Sequence, residues 1–195
     1  MKKEPSLSMS SYIILGLLEM LGPQTPYELK KEVDGSIAYF WDVPRAQLYV
    51  EPERLAGLGL VAEEREEGGR RRRVYCILDP GRVALRSWLR DTAQVPVELR
   101  DTGLLKLYFG FALSREELVR MAQVQAEMHR QRLQEYERIA HSLRTIPDGI
   151  FALATLHMGM QYERLSIDYW DEIAANPPTL NEADRARFAD PHDHK

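Results

Sequence analysis

The stretch Leu60-Val-Ala-Glu-Glu-Arg-Glu-Glu-Gly-Gly-Arg-Arg-Arg-Arg-Val-Tyr-Cys-Ile-Leu78 decides the fold. Leu60-Val61 opens one β-type run and Val74 to Leu78 forms another, with Gly68-Gly69 between them. Two extended runs about a Gly-Gly predict an antiparallel hairpin. Arg70, Arg71, Arg72 and Arg73 follow the glycines directly. Successive strand residues face opposite sides, so four consecutive guanidiniums would charge both faces and cannot pack into a core. At a hairpin tip they project into solvent, suited to bidentate pairing with phosphate or to a narrow minor groove. Glu63, Glu64, Glu66 and Glu67 support a competing reading, a solvated loop whose charge protects an edge strand from aggregation.

The residues upstream favour the first reading. Ser10-Ser11 precede Tyr12 to Leu21, a helix apolar around most of its circumference and stopped by Gly22-Pro23. Thr25-Pro26 starts a short second helix that ends near Asp34-Gly35. A third follows Pro44 and reaches about Leu58, where Gly59 provides a left-handed stop. After the hairpin, Asp79-Pro80 begins a fourth helix through about Leu89. Helix, helix, helix, hairpin, helix is the order of a winged helix-turn-helix, whose third helix enters the DNA major groove. The expected DNA contacts are Tyr27, Lys30 and Lys31, then Arg45, Gln47, Tyr49 and Arg54, and Arg70 to Arg73 on the wing.

The second half reads as helix throughout. Leu99 to Phe111 is a short amphipathic segment, and Ser114 with Glu117 forms a capping box for a helix running to about Arg144. Pro147-Asp148-Gly149 separates it from a last helix, near Ile150 to Ala174. On that helix Phe151, Ala154, Met158, Tyr162, Leu165 and Tyr169 form one apolar set, and Leu153, Leu156, Met160, Ile167 and Trp170 another on nearly the opposite face. A helix apolar on both sides needs cover on both, and a second copy of the chain is the simplest source. Met158, Tyr162, Leu165 and Tyr169, or Met160, Ile167 and Trp170, are the expected interface, with the choice between faces open. The expected fold is mainly α: a winged helix-turn-helix DNA-binding domain at 1–92, a helical dimerisation and effector domain at 97–175, and a flexible polar tail at 176–195 with a weak helical turn around Glu182 to Phe188.

Composition sets the outer bounds. The 195 residues are 44% hydrophobic and 29% charged, as in an ordinary globular protein. The net charge of −4 is unevenly divided. Residues 1–90 hold 14 Lys and Arg against 13 Asp and Glu, a net +1, whereas 91–195 hold 12 against 17, a net −5. Binding to phosphate depends on where cations cluster, not on the total. Runs such as Tyr12 to Leu18 are too short to span a bilayer, Met1 to Met9 does not read as a signal peptide, and a cytoplasmic location is expected. Cys76 alone excludes an internal disulfide, and it is expected to be a buried, inert thiol. His129, His141 and His157 lack two-ligand spacing, and His192 and His194 with Asp190 and Asp193 are a chance cluster in the tail, so no metal site is expected. No nucleophile elbow, phosphate loop or dinucleotide glycine motif occurs, so neither catalysis nor a cofactor is expected.

Several segments together resemble the PadR-like transcriptional regulators. Ser11 to Leu21 is similar to that family's opening helix, and Tyr27-Glu-Leu-Lys-Lys-Glu-Val33 to its second. Phe40-Trp41, Gln47-Leu-Tyr49 and Arg54-Leu55 resemble the third helix and its approach, Gly59-Leu-Val61 and Arg73-Val-Tyr75 the wing, and Trp88-Leu89 the fourth helix. Gly159 to Trp170 resembles the C-terminal domain of longer members. The resemblance covers residues 9–175 and implies a homodimer on a palindromic double-stranded operator, repressing until a small-molecule effector or other signal releases it. Tyr108, Phe109 and Phe111 are candidate effector contacts, whereas Trp41 and Trp88 read as packing residues. Pro52 departs from the family, which usually has an apolar core residue there; a break or kink is expected, because proline loses a hydrogen bond and clashes with the Leu48 carbonyl. Glu51 and Glu53 are expected to bring negative charge near the DNA face. This leaves a second reading, a winged-helix protein-interaction module, against which the arginine-rich tip argues.

Overall fold

Side chains that cap helix starts organise much of the chain. Ser8 accepts from the Ser11 amide while the Ser11 hydroxyl accepts from the Ser8 amide, starting α1 (Met9–Leu21) two residues before the expected Ser10. Thr25 and Glu28 form the same box at α2 (Pro26–Gly35), and Ser114 and Glu117 at α6 (Arg115–Leu143). The structure, a computed structural model, describes residues 6–65, 72–93, 96–144 and 149–189. Contacts divide the chain into two compact units, Met1–Pro96 and Val97–Lys195.

In the first unit, α1 and α2 are followed by a 3-10 turn at Ile37–Tyr39, α3 (Gln47–Gly57), β1 (Val61–Arg65), β2 (Arg73–Ile77) and α4 (Asp79–Arg90). The strands pair antiparallel from Val61 opposite Ile77 to Arg65 opposite Arg73. Gly59, with φ of 71°, makes the left-handed turn from α3 into β1. Ile14, Leu15 and Leu18 of α1 meet Leu29, Leu48, Leu55 and Tyr75 in one fully buried core. Gly81 lets α4 approach: a Cβ there would lie 2.3 Å from the Leu60 carbonyl oxygen. Trp88 stacks on Tyr12 with centroids 4.8 Å apart, in the packing role expected of it. Trp41 does not pack in this way; it is 44% exposed. Cys76 is half-buried rather than buried.

Pro52 breaks nothing. α3 runs through it, and the ring is fully buried. The helix starts at Gln47, where Gln47, Leu48 and Tyr49 donate to carbonyls three residues back, so only one turn precedes the proline. Burial of the ring in the core compensates for the donor it lacks.

The second unit contains α5 (Thr102–Tyr108), a 3-10 turn at Gly110–Ala112, the long α6, α7 (Ile150–Ala175) and α8 (Glu182–Ala189). The 29 residues of α6 give it a length of about 43 Å. Ala122 and Ala126 leave room for Trp170 and Ile173, all four buried, and Gly159 lets Tyr136 lie against α7. This placement corrects one expectation: Trp170, at 1% exposure, belongs to the subunit's own core and is closed to a partner. Between the same helices His129 Nδ1 lies 2.5 Å from a carboxylate oxygen of the buried Glu163. The helical turn expected near Glu182 to Phe188 of the tail is present as α8, and it is tied to α7. Arg187 donates to Glu172 and to the Asn176 carbonyl, and Asp184 accepts from Thr179. The Asp190, His192, Asp193 and His194 cluster lies outside the described residues.

Candidate nucleic-acid interface

The buried residues of α3 are Leu48, Glu51, Pro52 and Leu55, which cluster on one side of the helix. At about 100° per residue, the opposite ridge carries Ala46 at the helix start, then Tyr49, Val50, Glu53 and Gly57. All are exposed, Val50 by 61% and Tyr49 by 48%. Gln47 and Arg45 flank the first turn; the Arg45 side chain is 75% exposed, with its Nε 3.9 Å from Asp34. Tyr27 at the start of α2 is 68% exposed, and Lys31 is exposed.

Other expected contacts are already committed within the fold. Arg54 Nη2 donates to Glu51 Oε1 at 2.6 Å and its Nε to Oε2 at 2.8 Å. Glu51 also accepts from the Ser11 hydroxyl, so α1 and α3 are joined through one carboxylate. Burial opposes ionisation of Glu51, but the bonds from Arg54 and Ser11 and the arginine's charge outweigh it and hold the pKa below the ordinary carboxylate value. This reverses two expectations: Glu51 is an internal anchor rather than a charge near DNA, and Arg54 neutralises it rather than reaching outward. Lys30 is bonded to Asp34, whose carboxyl this bond holds low.

The wing divides at its base. Arg73 Nη1 donates to Glu53 on α3 at 2.9 Å, and its Nε lies 3.6 Å from Glu63. Glu63 also pairs with Arg65 and accepts from the Tyr75 hydroxyl. Arg73 is therefore a brace between wing and helix, and it offsets Glu53. Arg72 is exposed; its charge adds to the backbone and hydroxyl bonds from Thr25 that lower the pKa of Glu28. Arg70 and Arg71, with Gly68-Gly69 and Glu66-Glu67, lie outside the described residues.

Sequence reasoning missed Val50 and Ala46, although the helical spacing of the apolar Leu48 and Leu55 was a usable signal for the outward ridge. It also missed the open Phe40, which is 65% exposed. In the second unit Tyr108, Phe109 and Phe111 are exposed by 79%, 53% and 74%, Tyr108 meeting Phe109 edge-on. Met158 and Leu165 are 71% and 69% exposed, whereas Met160, Tyr162, Ile167 and Tyr169 are half-buried. Among the described residues no helix is long and apolar enough to cross a membrane.

Comparison with known proteins agrees with this architecture. Residues 14–87 match the transcriptional regulator PadR-like family, and residues 99–176 match the virulence activator alpha C-terminal domain. The negative transcriptional regulator PadR of Bacillus subtilis is 27% identical over 137 residues, covering 67% of this chain and 75% of that protein. The crystal structure of Bacillus subtilis PadR in complex with operator DNA superposes with a TM-score of 0.78 at 23% identity, over 86% of this chain and 98% of that one. The same protein in complex with p-coumaric acid gives 0.73 at 21% identity, over 87% and 97%. The chain is similar to the long form of the PadR-like transcriptional regulators, with a PadR-like unit at 14–87 followed by a helical C-terminal domain at 99–176.

Proposed function

We propose that this chain is a cytoplasmic, homodimeric regulator that binds a palindromic double-stranded operator and represses transcription until a signal releases it. The observation that carries the reading is the exposed ridge of α3, held by the Glu51 anchor in a unit whose relative was crystallised on operator DNA. The unit at 1–92 supplies the reading head; Tyr27, Lys31, Arg45, Gln47, Tyr49 and Arg70 to Arg72 are its contacts. The unit at 97–175 supplies assembly. With Trp170 and Ile173 occupied internally, the face at Phe151, Met158 and Leu165 is the one left for a second copy. Tyr108, Phe109 and Phe111 are assigned to a small-molecule effector, of which p-coumaric acid is the instance in a relative. The sign of regulation follows that relative's description as a negative regulator.

Fluorescence anisotropy with the duplex upstream of the protein's own gene tests the reading. Saturable binding that survives excess random-sequence competitor supports it. Affinity no greater than for random DNA at every salt concentration would sink it.

A further inference from the structure

We infer that α3 reads thymine by its C5-methyl group, with Val50 as the specificity contact and Tyr49 and Ala46 beside it. The inference rests on α3 being the helix that enters the major groove.

The middle of the outward ridge is apolar. Val50 stands at its centre, 61% exposed, with Ala46 one turn before it and Gly57 two turns after it bringing little or no side chain. Arg54, the one Lys or Arg within α3, has its guanidinium engaged by Glu51 at 2.6 and 2.8 Å and by the Ser11 hydroxyl at 3.0 Å. Glu53, the one charged residue of the ridge, is held by Arg73 at 2.9 Å. Guanine is read by bidentate Arg or Lys and adenine by Asn or Gln, and past Gln47 the ridge holds no such free group. Of the features a base pair shows in the major groove, only the thymine methyl complements an aliphatic side chain. A β-branched valine on a helix has one strongly preferred rotamer, so the contact is ordered before DNA arrives.

The probe is a duplex enriched from a random-sequence library by the full chain, then resynthesised with each thymine in turn replaced by deoxyuridine, which removes only the methyl. At least one replacement per half-site should weaken binding about fourfold, the value of one buried methyl-sized group. In Val50→Ala that sensitivity should fall below about twofold, while the salt dependence, which phosphate contacts set, stays as in the parent. Val83→Ala on the exposed side of α4 serves as the control and should keep the full sensitivity. An enriched motif indifferent to every deoxyuridine, or a Val50→Ala protein retaining the fourfold effect, overturns the inference and leaves sequence-specific binding standing. Failure of the library to yield any motif overturns both.

Discussion

Glu51 and Arg54 are paired but unequally buried, and this asymmetry gives an ordering of mutant stabilities. The Glu51 side chain is 4% exposed and that of Arg54 is 39% exposed. Arg54→Met strands a carboxylate in the core, which costs about 3–5 kcal/mol when a buried pair is broken. Ser11 still donates to it, so the lower end, about 3 kcal/mol, is expected. Glu51→Met strands a guanidinium that can turn to water; the loss is mainly the Ser11 bond, about 1 kcal/mol. The double variant should also sit about 1 kcal/mol below the parent, rather than at the additive 4. For a unit of this size these figures are melting-point losses of roughly 12–24 °C, 4–8 °C and 4–8 °C. Calorimetry of the full chain reads them. Because the folded-state pKa of Glu51 is lowered, its contribution is complete above the unfolded value of about 4.3 and is lost as pH falls through the folded value. Arg54→Met should therefore regain ground on the parent as pH is lowered from 7, since protonation relieves its unpaired carboxylate. Equal losses in the two single variants, or additive losses in the double, would refute the anchor.

Arg72→Ala should lower the slope of log affinity against log salt by about 0.9, one phosphate contact, while Arg73→Ala should leave the slope nearly unchanged, because Arg73 already serves Glu53 and Glu63. Filter binding across a salt series distinguishes them, and equal slopes in both variants would contradict the division of the wing. Leu165→Glu should yield a folded monomer by light scattering, whereas Trp170→Ala should destabilise the subunit by about 3–5 kcal/mol in urea unfolding; dissociation by Trp170→Ala without destabilisation would reverse the assignment of faces. Gly81→Ala brings a methyl to 2.3 Å from the Leu60 carbonyl oxygen and should cost at least about 1–3 kcal/mol; a neutral result would show that α4 does not sit this close.

The order of elements was legible because it depends on local signals: the Gly-Gly between β runs, the Ser114–Glu117 box and the period of α7. What was not legible depends on tertiary partners. The acidity of Glu51 suggested a surface position, and only its contact with Ser11, 40 residues away, reverses that reading. The two apolar faces of α7 look alike in sequence. They differ because Ala122 and Ala126 of α6 create the space that Trp170 and Ile173 fill. Pro52 looked like a defect by helix rules, but its depth in the core decides that it is tolerated. The arginine run reads as one feature, whereas its last member is bonded to Glu53 of α3, a partner 20 residues away in sequence.

Ser11 has two duties at once: its hydroxyl helps to start α1 and donates to the carboxylate that seats α3. Positions 8, 11, 51 and 54 cannot then drift independently. A lineage that replaces Glu51 with an apolar residue frees Arg54 and leaves the Ser11 hydroxyl without its acceptor, so further substitutions at these sites should follow. Among related sequences the four columns should covary as a block, with Glu51 and Arg54 gained or lost together. Lineages that release the arginine would acquire a new cation on the flank of the reading helix, and with it a route to a different operator.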